Sequence, residues 1–251
     1  MIMQEQLRKK VVKFGNGSIV YTPKNWIGRE VIVTLPKLSM KEELFKFLDP
    51  YLLHIQGIYL YGSYARNEQE QDSDIDVLII ADKKFKIKMK GYDINVLTND
   101  YLKKPVDPFC FLMLKEAKAI LNGNLLDKIR PVTVSKKSIR WILDNTKSVL
   151  NINRDFIDLE DENFENGAVI YSLMLRLRGL YMMDCVLKNK SYSNENFNRF
   201  VKTNGLKDDF YRIYRRVRDN KNVKIRVMKN DVEKLYELVK DETEKKSREI
   251  H

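Results

Sequence analysis

Hydrophobic positions change rhythm along this chain. Over residues 8–36 (RKKVVKFGNGSIVYTPKNWIGREVIVTLP) they come in short runs, Val11-Val12, Ile19-Val20-Tyr21 and Val31-Ile32-Val33. Gly15-Asn16-Gly17 and Pro23-Lys24-Asn25 separate them, so three short strands are expected. Over 38–48 the spacing becomes three and four, with Leu44, Phe45, Phe47 and Leu48. That predicts a helix, capped by Ser39 with Glu42 three residues on. Residues 57–80, GIYLYGSYARNEQEQDSDIDVLII, read as strand, Gly-Ser turn, polar loop, strand. The second run, Val77-Leu78-Ile79-Ile80, is of the kind that lies inside a sheet. In 91–97 (GYDINVL), Tyr92, Ile94 and Val96 share one face and Asp93 and Asn95 the other. Between these strands Lys84, Lys86, Lys88 and Lys90 alternate with Phe85, Ile87 and Met89. The alternation predicts a strand, either an edge protected by lysines or a basic strip beside the site.

After residue 100 the pattern turns helical. A helix is expected over 109–119, a turn over 121–124, then helices over 138–159, 167–187, 193–203 and 207–218. Asn204-Gly205 is a stop signal. Asn230 to Glu233 caps a last helix carrying Val232, Leu235, Tyr236 and Val239 on one face. Residues 168–187 have spanning length, but Arg176, Arg178 and Asp184 interrupt them, so a buried helix is expected rather than a membrane span. The two arginines either pair with Asp155 or Asp158, or one faces a cleft and holds phosphate. The expected fold class is α+β, in three parts: a β module at 1–36, an α/β domain at 37–131 and a helical bundle at 132–251.

Composition narrows the partners. The 251 residues are 43 % hydrophobic, enough for a core, and carry a net charge of +11. Such a balance suits polyanions or acidic partners, or else reflects a lysine-rich solvated surface. Residues 211–230 are dense in base (Arg212, Arg215, Arg216, Arg218, Lys221, Lys224, Arg226, Lys229) with Tyr211 and Tyr214 interleaved, as RNA or DNA binding would want; a solvated loop face is the alternative. Only two cysteines occur, Cys110 and Cys185, so no disulfide framework is expected and a reducing, cytoplasmic setting is. Scattered as they are, they make no zinc site with His54 and His251. Leu7-Arg8-Lys9-Lys10 leads into a strand, not into the apolar stretch of a signal peptide.

The candidate chemistry lies at 57–80. Asp74 and Asp76 flank Ile75, so their carboxylates point the same way and repel each other. They are either solvated acids beside a turn or the ligands of a divalent cation. Gly62 lets the backbone approach a phosphate, and Ser63 adds a hydroxyl donor. The run GSYAR…SDIDVLI, with Gly-Ser ten residues ahead of Asp-x-Asp, resembles the signature of the polymerase-beta-like nucleotidyltransferase superfamily, in its minimal nucleotidyltransferase branch. The resemblance spans about residues 40–100.

That resemblance implies a small α/β catalytic domain and a third carboxylate on a neighbouring strand, for which Asp93 is the candidate. It implies that Asp74, Asp76 and Asp93 are catalytic and bind two Mg²⁺ (or Mn²⁺) ions. It further implies that Gly62, Ser63 and Arg66 hold the phosphates of a nucleoside triphosphate, ATP first, and that a nucleoside monophosphate passes to an acceptor hydroxyl. Relatives often carry Gly where Asn67 stands, and Asn tolerates the same left-handed backbone. Helices behind such domains close the nucleotide cleft or hold the acceptor. The acceptor is left open between a protein side chain, an RNA 3′ end and a small molecule; the basic stretches favour protein or RNA. Residues 8–36 resemble AbrB/MazE-type swapped-hairpin modules, which usually form a homodimer and many of which bind DNA; the basic Arg8, Lys9, Lys10, Lys13, Lys24 and Arg29 fit phosphate contact, and a non-binding dimerisation arm or a sheet extension is the alternative. The alternative function is a DNA-binding regulator, or an antitoxin-type protein that senses nucleotide or modifies a toxin.

Overall fold

The computed structural model describes residues 7, 9–31, 33, 39–71, 73–219, 221 and 227–250, in two compact units, Met1–Glu43 and Leu44–His251. In the first unit β1 (Val12–Phe14) pairs antiparallel with β2 (Gly17–Ile19), Phe14 opposite Gly17. Gly15 opens the two-residue turn at φ +54°, a backbone value that a tight hairpin demands and Gly supplies without strain. The strand expected over 31–33 is not formed at its described residues. Val31 and Val33 are exposed and pair with no strand among the described residues, and Ile32 lies outside them. The capping pair forms as expected. Ser39 Oγ accepts from the Glu42 N–H at 3.3 Å, and the Ser39 N–H donates to the Glu42 carboxylate at 2.8 Å, opening α1 (Met40–Leu48).

The second unit is built on a four-stranded sheet ordered β5-β4-β3-β6. Its elements in chain order are β3 (Ile55–Leu60), α2 (Gly62–Arg66), β4 (Ile75–Ala81), β5 (Tyr92–Thr98), α3 (Asn99–Leu102), α4 (Pro108–Glu116), β6 (Lys118–Leu121) and α5 (Gly123–Ile129). β3 runs antiparallel to β4 and β6, and β4 runs parallel to β5. Alternation along β4 sends Val77 and Ile79 to one face, against Leu44 and Leu48 of α1, and Leu78 and Ile80 to the other, against Cys110 and Leu114 of α4. Both faces are covered, which is why 77–80 reads as an unbroken apolar run. Each fully buried leucine of α1 contributes roughly 1.5–3 kcal/mol.

Two further expectations are overturned in the second unit. Residues 84–88 form no strand, although the side-chain alternation holds. Phe85, Ile87 and Met89 pack on the α1 face of the sheet while the four lysines stay exposed. The segment is the crossover that parallel β4 and β5 require, and a Met89–Tyr92 bridge ties its backbone to the start of β5. The helix expected over 109–119 stops at Glu116. Ala117 leaves the helical region (φ −56°, ψ 136°), and the next four residues become β6 beside β3. The turn over 121–124 does more than turn: Asn122, at φ +61°, caps α5 by accepting from the Leu125 N–H at 3.1 Å.

The helical remainder comprises α6 (Lys136–Asp158), β7 (Asn163–Phe164), α7 (Gly167–Leu187), α8 (Asn194–Thr203), α9 (Asp208–Arg218), β8 (Val227–Met228) and α10 (Lys229–Ile250), with β7 antiparallel to β8. α7 is its core: Val169, Ile170, Leu173, Met174, Leu177, Leu180 and Met183 are buried among residues of α6, α9 and α10. Its apolar surface runs all round because helices pack on several sides of it. Among the described residues, no helix is long and apolar enough to cross a membrane. Gly205, at φ +74°, ends α8 as the sequence suggested, donating to the Lys202 carbonyl at 3.0 Å. Asp158 pairs with Arg154 at 2.9 Å, not with Arg176 or Arg178. The Arg176 Nε is buried without a hydrogen-bond partner.

Candidate active site

The site forms where β3 hands over to α2, next to the entry of β4. The Tyr61 N–H donates to the Asp76 carbonyl at 3.0 Å, so the chain leaves β3 still tied to β4. It then turns at Gly62, whose φ is +69°. A Cβ there would stand 1.9 Å from Asp76 Oδ2 and 3.0 Å from Asp76 Cβ. Glycine is therefore required twice, by backbone conformation and by the carboxylate pressed against the turn. Asn67 closes α2 in the left-handed region (φ 59°, ψ 34°), the conformation expected of it.

Asp76 on β4 stands opposite Asp93 on β5, two neighbouring parallel strands in register, and Asp74 lies one residue ahead of β4. All six residues singled out in the sequence line one cavity of about 1000 Å³: Gly62, Ser63, Arg66, Asp74, Asp76 and Asp93. Burial, and next the neighbouring Asp93, push the Asp76 carboxyl up to about 6; Arg66 pulls the other way, while Glu116 and Asp74 add to the rise. Carboxylates crowded like this are the hard oxygen donors that Mg²⁺ or Mn²⁺ takes, and a divalent cation relieves their repulsion. Among the described residues no three His, Cys, Asp or Glu side chains already converge on a metal position. The donor set thus fits such an ion in chemistry, with the side chains still to draw together.

Glu116, at the end of α4, was not picked out from the sequence. Its Oε1 accepts from the Gly62 N–H at 2.8 Å, and its Oε2 accepts from Arg66 Nη1 at 2.5 Å. Arg66 Nε donates to Glu68 at 2.9 Å, and the same Glu68 oxygen accepts from the Asn194 N–H at the start of α8, at 3.1 Å. A lone acid ending an apolar helix gives no local hint of this; only the packing of α4 beside α2 brings it to the turn.

The helices supply the opposite wall. Arg178 of α7 lines the cavity and donates to the Tyr192 hydroxyl at 2.8 Å and the Tyr214 hydroxyl at 3.2 Å. Among the described residues no carboxylate pairs with it. Arg66 and Arg178 lie over the same Tyr192 ring, 5.1 and 5.4 Å from its centre. Arg215 and Arg218 also reach the cavity, paired with Glu70 and Asp219 respectively.

The basic segment 211–230 is therefore no open stripe where it is described. Tyr214 is buried and stacks on Tyr171, so it offers no free platform for a base, and Lys224 and Arg226 lie outside the described residues. The lysines of 84–90 lie over the α1 face of the sheet, whereas Asp76, Asp93 and Asn95 look out from the other. They form no strip beside the site.

Residues 39–174 match the nucleotidyltransferase domain family. In fold the chain is similar to a spectinomycin adenyltransferase from Enterococcus faecialis solved with ATP and spectinomycin, at 14 % identity and a TM-score of 0.50, over 80 % of this chain and 97 % of that one. Fainter likenesses are a nucleotidyltransferase-like protein from Exiguobacterium sibiricum (10 % identity, TM-score 0.34, 83 % of this chain and 76 % of that one) and a toxin–antitoxin solved with AMP-PNP (17 %, 0.29, 47 % and 98 %). No curated protein matches the sequence. None of these comparisons carries the resemblance of 8–36 to swapped-hairpin modules.

Proposed function

The chain belongs to the nucleotidyltransferase domain family, and from that we propose that it moves a nucleoside monophosphate from a nucleoside triphosphate, ATP first, to an acceptor hydroxyl. The observation that carries this reading is the placement of Asp76 against Gly62 and opposite Asp93, at one end of a cavity whose other wall is basic. Asp74, Asp76 and Asp93 would hold a pair of Mg²⁺ or Mn²⁺ ions, which supplies charge neutralisation at the attacking and leaving oxygens. The Gly62 amide and Ser63 hydroxyl donate to the β- and γ-phosphates, with Arg66 beside them. Arg178, half-buried and bonded to two phenolic hydroxyls, with no carboxylate partner among the described residues, gains a counter-ion when the polyphosphate arrives. Asp93 accepts the proton of the acceptor hydroxyl. The new bond forms from that oxygen to the α-phosphorus as the bond to the pyrophosphate oxygen breaks.

The acceptor classes are a protein side chain, an RNA end or a small molecule. Arg215 and Arg218 face inward and the lysine strip lies over the far face, so neither supports a polyanionic acceptor as strongly as the bare sequence did. Incubation of the protein with α-labelled ATP, CTP, GTP or UTP, Mg²⁺ and cell extract tests the reading. Label is expected in one acceptor fraction, whose chemistry identifies the class, while γ-label leaves as pyrophosphate. Asp76→Asn is expected to lower the rate by at least ~10²-fold with the fold intact. Transfer by the variant at the wild-type rate, or no transfer from any of the four nucleotides, overturns the proposal.

A further inference from the structure

The donors proposed for phosphate are already in use. The Gly62 N–H and the Arg66 guanidinium converge on the two carboxylate oxygens of Glu116, at 2.8 and 2.5 Å. A backbone amide and a guanidinium closing on two oxygens of one anionic group is the arrangement that recognises a phosphate. Here the chain supplies the anion itself. Glu116 also lines the cavity and is one of the charges that raise the Asp76 carboxyl.

We infer that Glu116 is a positioning residue that fills the phosphate seat until a nucleotide displaces it. The inference rests on the reading of this cavity as a nucleotide site. While Glu116 sits there, Gly62 and Arg66 keep the geometry a phosphate needs, and neither the Gly62 N–H nor the Arg66 guanidinium is left unpaired. When a phosphate arrives, Arg66 does not lose its place, because Glu68 still grips its Nε at 2.9 Å and Tyr192 still lies under it. Glu116 can swing aside, since its side chain keeps 19 % exposure on the cavity side. The cost of evicting it is charged to nucleotide affinity, as for any binding state that must first be vacated.

The test is calorimetric titration of the full chain with ATP, and separately with inorganic triphosphate, both in Mg²⁺. It compares wild type with Glu116→Gln, which keeps the shape and drops the charge, and with Glu116→Asp, which keeps the charge and retracts it. Melting curves accompany each titration. Glu116→Gln is expected to bind both probes ~3–10-fold tighter than wild type, Glu116→Asp to fall between, and KM for the triphosphate to drop more than kcat changes. Binding that is unchanged or weaker in both folded variants, in a wild type that does bind ATP, overturns the inference and leaves the proposed function standing. Should Glu116→Gln fail to fold, the Glu116→Asp result decides alone. Binding by the variants where wild type binds nothing supports the inference in its strongest form. No binding of either probe by any of the three proteins overturns the nucleotide reading and the seat with it.

Discussion

A methyl group on Gly62 would have nowhere to go. Alanine at φ +69° costs about 1–2 kcal/mol in backbone strain alone. The added Cβ would meet Asp76 Oδ2 at 1.9 Å, and turning the carboxylate away leaves the Asp76 Cβ at 3.0 Å, still inside ordinary contact. Either the turn opens or Asp76 shifts on β4, and both separate the proposed phosphate donors from the carboxylates. A stability loss of ~2 kcal/mol corresponds to a melting temperature lower by ~4–8 °C in a chain of this size. A displacement near 1 Å at the reacting groups costs ~10²-fold in rate. Gly91→Ala is the matched control: its φ is +77° and nothing lies within 4 Å of the would-be Cβ, so it bears the backbone cost without the contact. The assay is transfer from α-labelled nucleotide alongside thermal melting of both variants. Gly62→Ala should lose ~10²-fold in rate, and Gly91→Ala less than ~10-fold at a comparable melting temperature. Wild-type activity in Gly62→Ala, or an equal loss in Gly91→Ala, refutes the claim that the close approach of Asp76 makes this glycine necessary.

Two further outcomes concern the core. Burial, reinforced by Asp107, pushes the Cys110 thiol up to about 12, and burial raises Cys185 as well, so both should resist a thiol reagent at pH 8 by at least ~10²-fold relative to free cysteine and react once denaturant unfolds the chain. Rapid native-state labelling at Cys110 would show that the cavity wall opens there. Lys246, fully buried and paired with Asp184, with Glu249 at 3.5 Å and Glu242 at 3.8 Å, is the one charge sunk into the helical core among the described residues; Lys246→Met should cost ~1–3 kcal/mol in denaturant unfolding, less than a fully isolated buried pair because Asp184 keeps Lys188 at 2.8 Å and none of the three carboxylates is fully buried. An unchanged midpoint would mean that the pair adds no net stability.

The sequence by itself determined the strands that carry the candidate carboxylates and which way those side chains face. Period-two alternation over 74–80 and 92–96 decides which side chains share a face, so Asp76 and Asp93 had to look out together once the two strands paired in register. It also determined the Ser39 capping box and the stop at Gly205, because each is settled by residues within four positions of one another, and it marked the Gly62 turn, which the approach of Asp76 from the next strand then makes specific to glycine. Tertiary structure decided the rest. Lys118 and Ala119 read as the tail of a helix and Leu121 as the start of a turn, and Lys118–Leu121 becomes a strand only because the free edge of β3 is there to pair with it. The lysines of 84–90 keep the rhythm of a strand but cross over the sheet instead, since a parallel neighbour must be reached from the far end. Glu116 and Tyr192 carry no spacing signal, Arg178 stands out only as a charge interrupting an apolar helix, and Tyr214 only as an aromatic within a basic stretch. They meet the turn from α4, α7, α9 and the segment ahead of α8, across sequence separations of 50 residues and more for the Glu116–Arg66 contact. Local periodicity holds no information at that range, and only the packing of those helices against the open end of the sheet brings the side chains into one cavity.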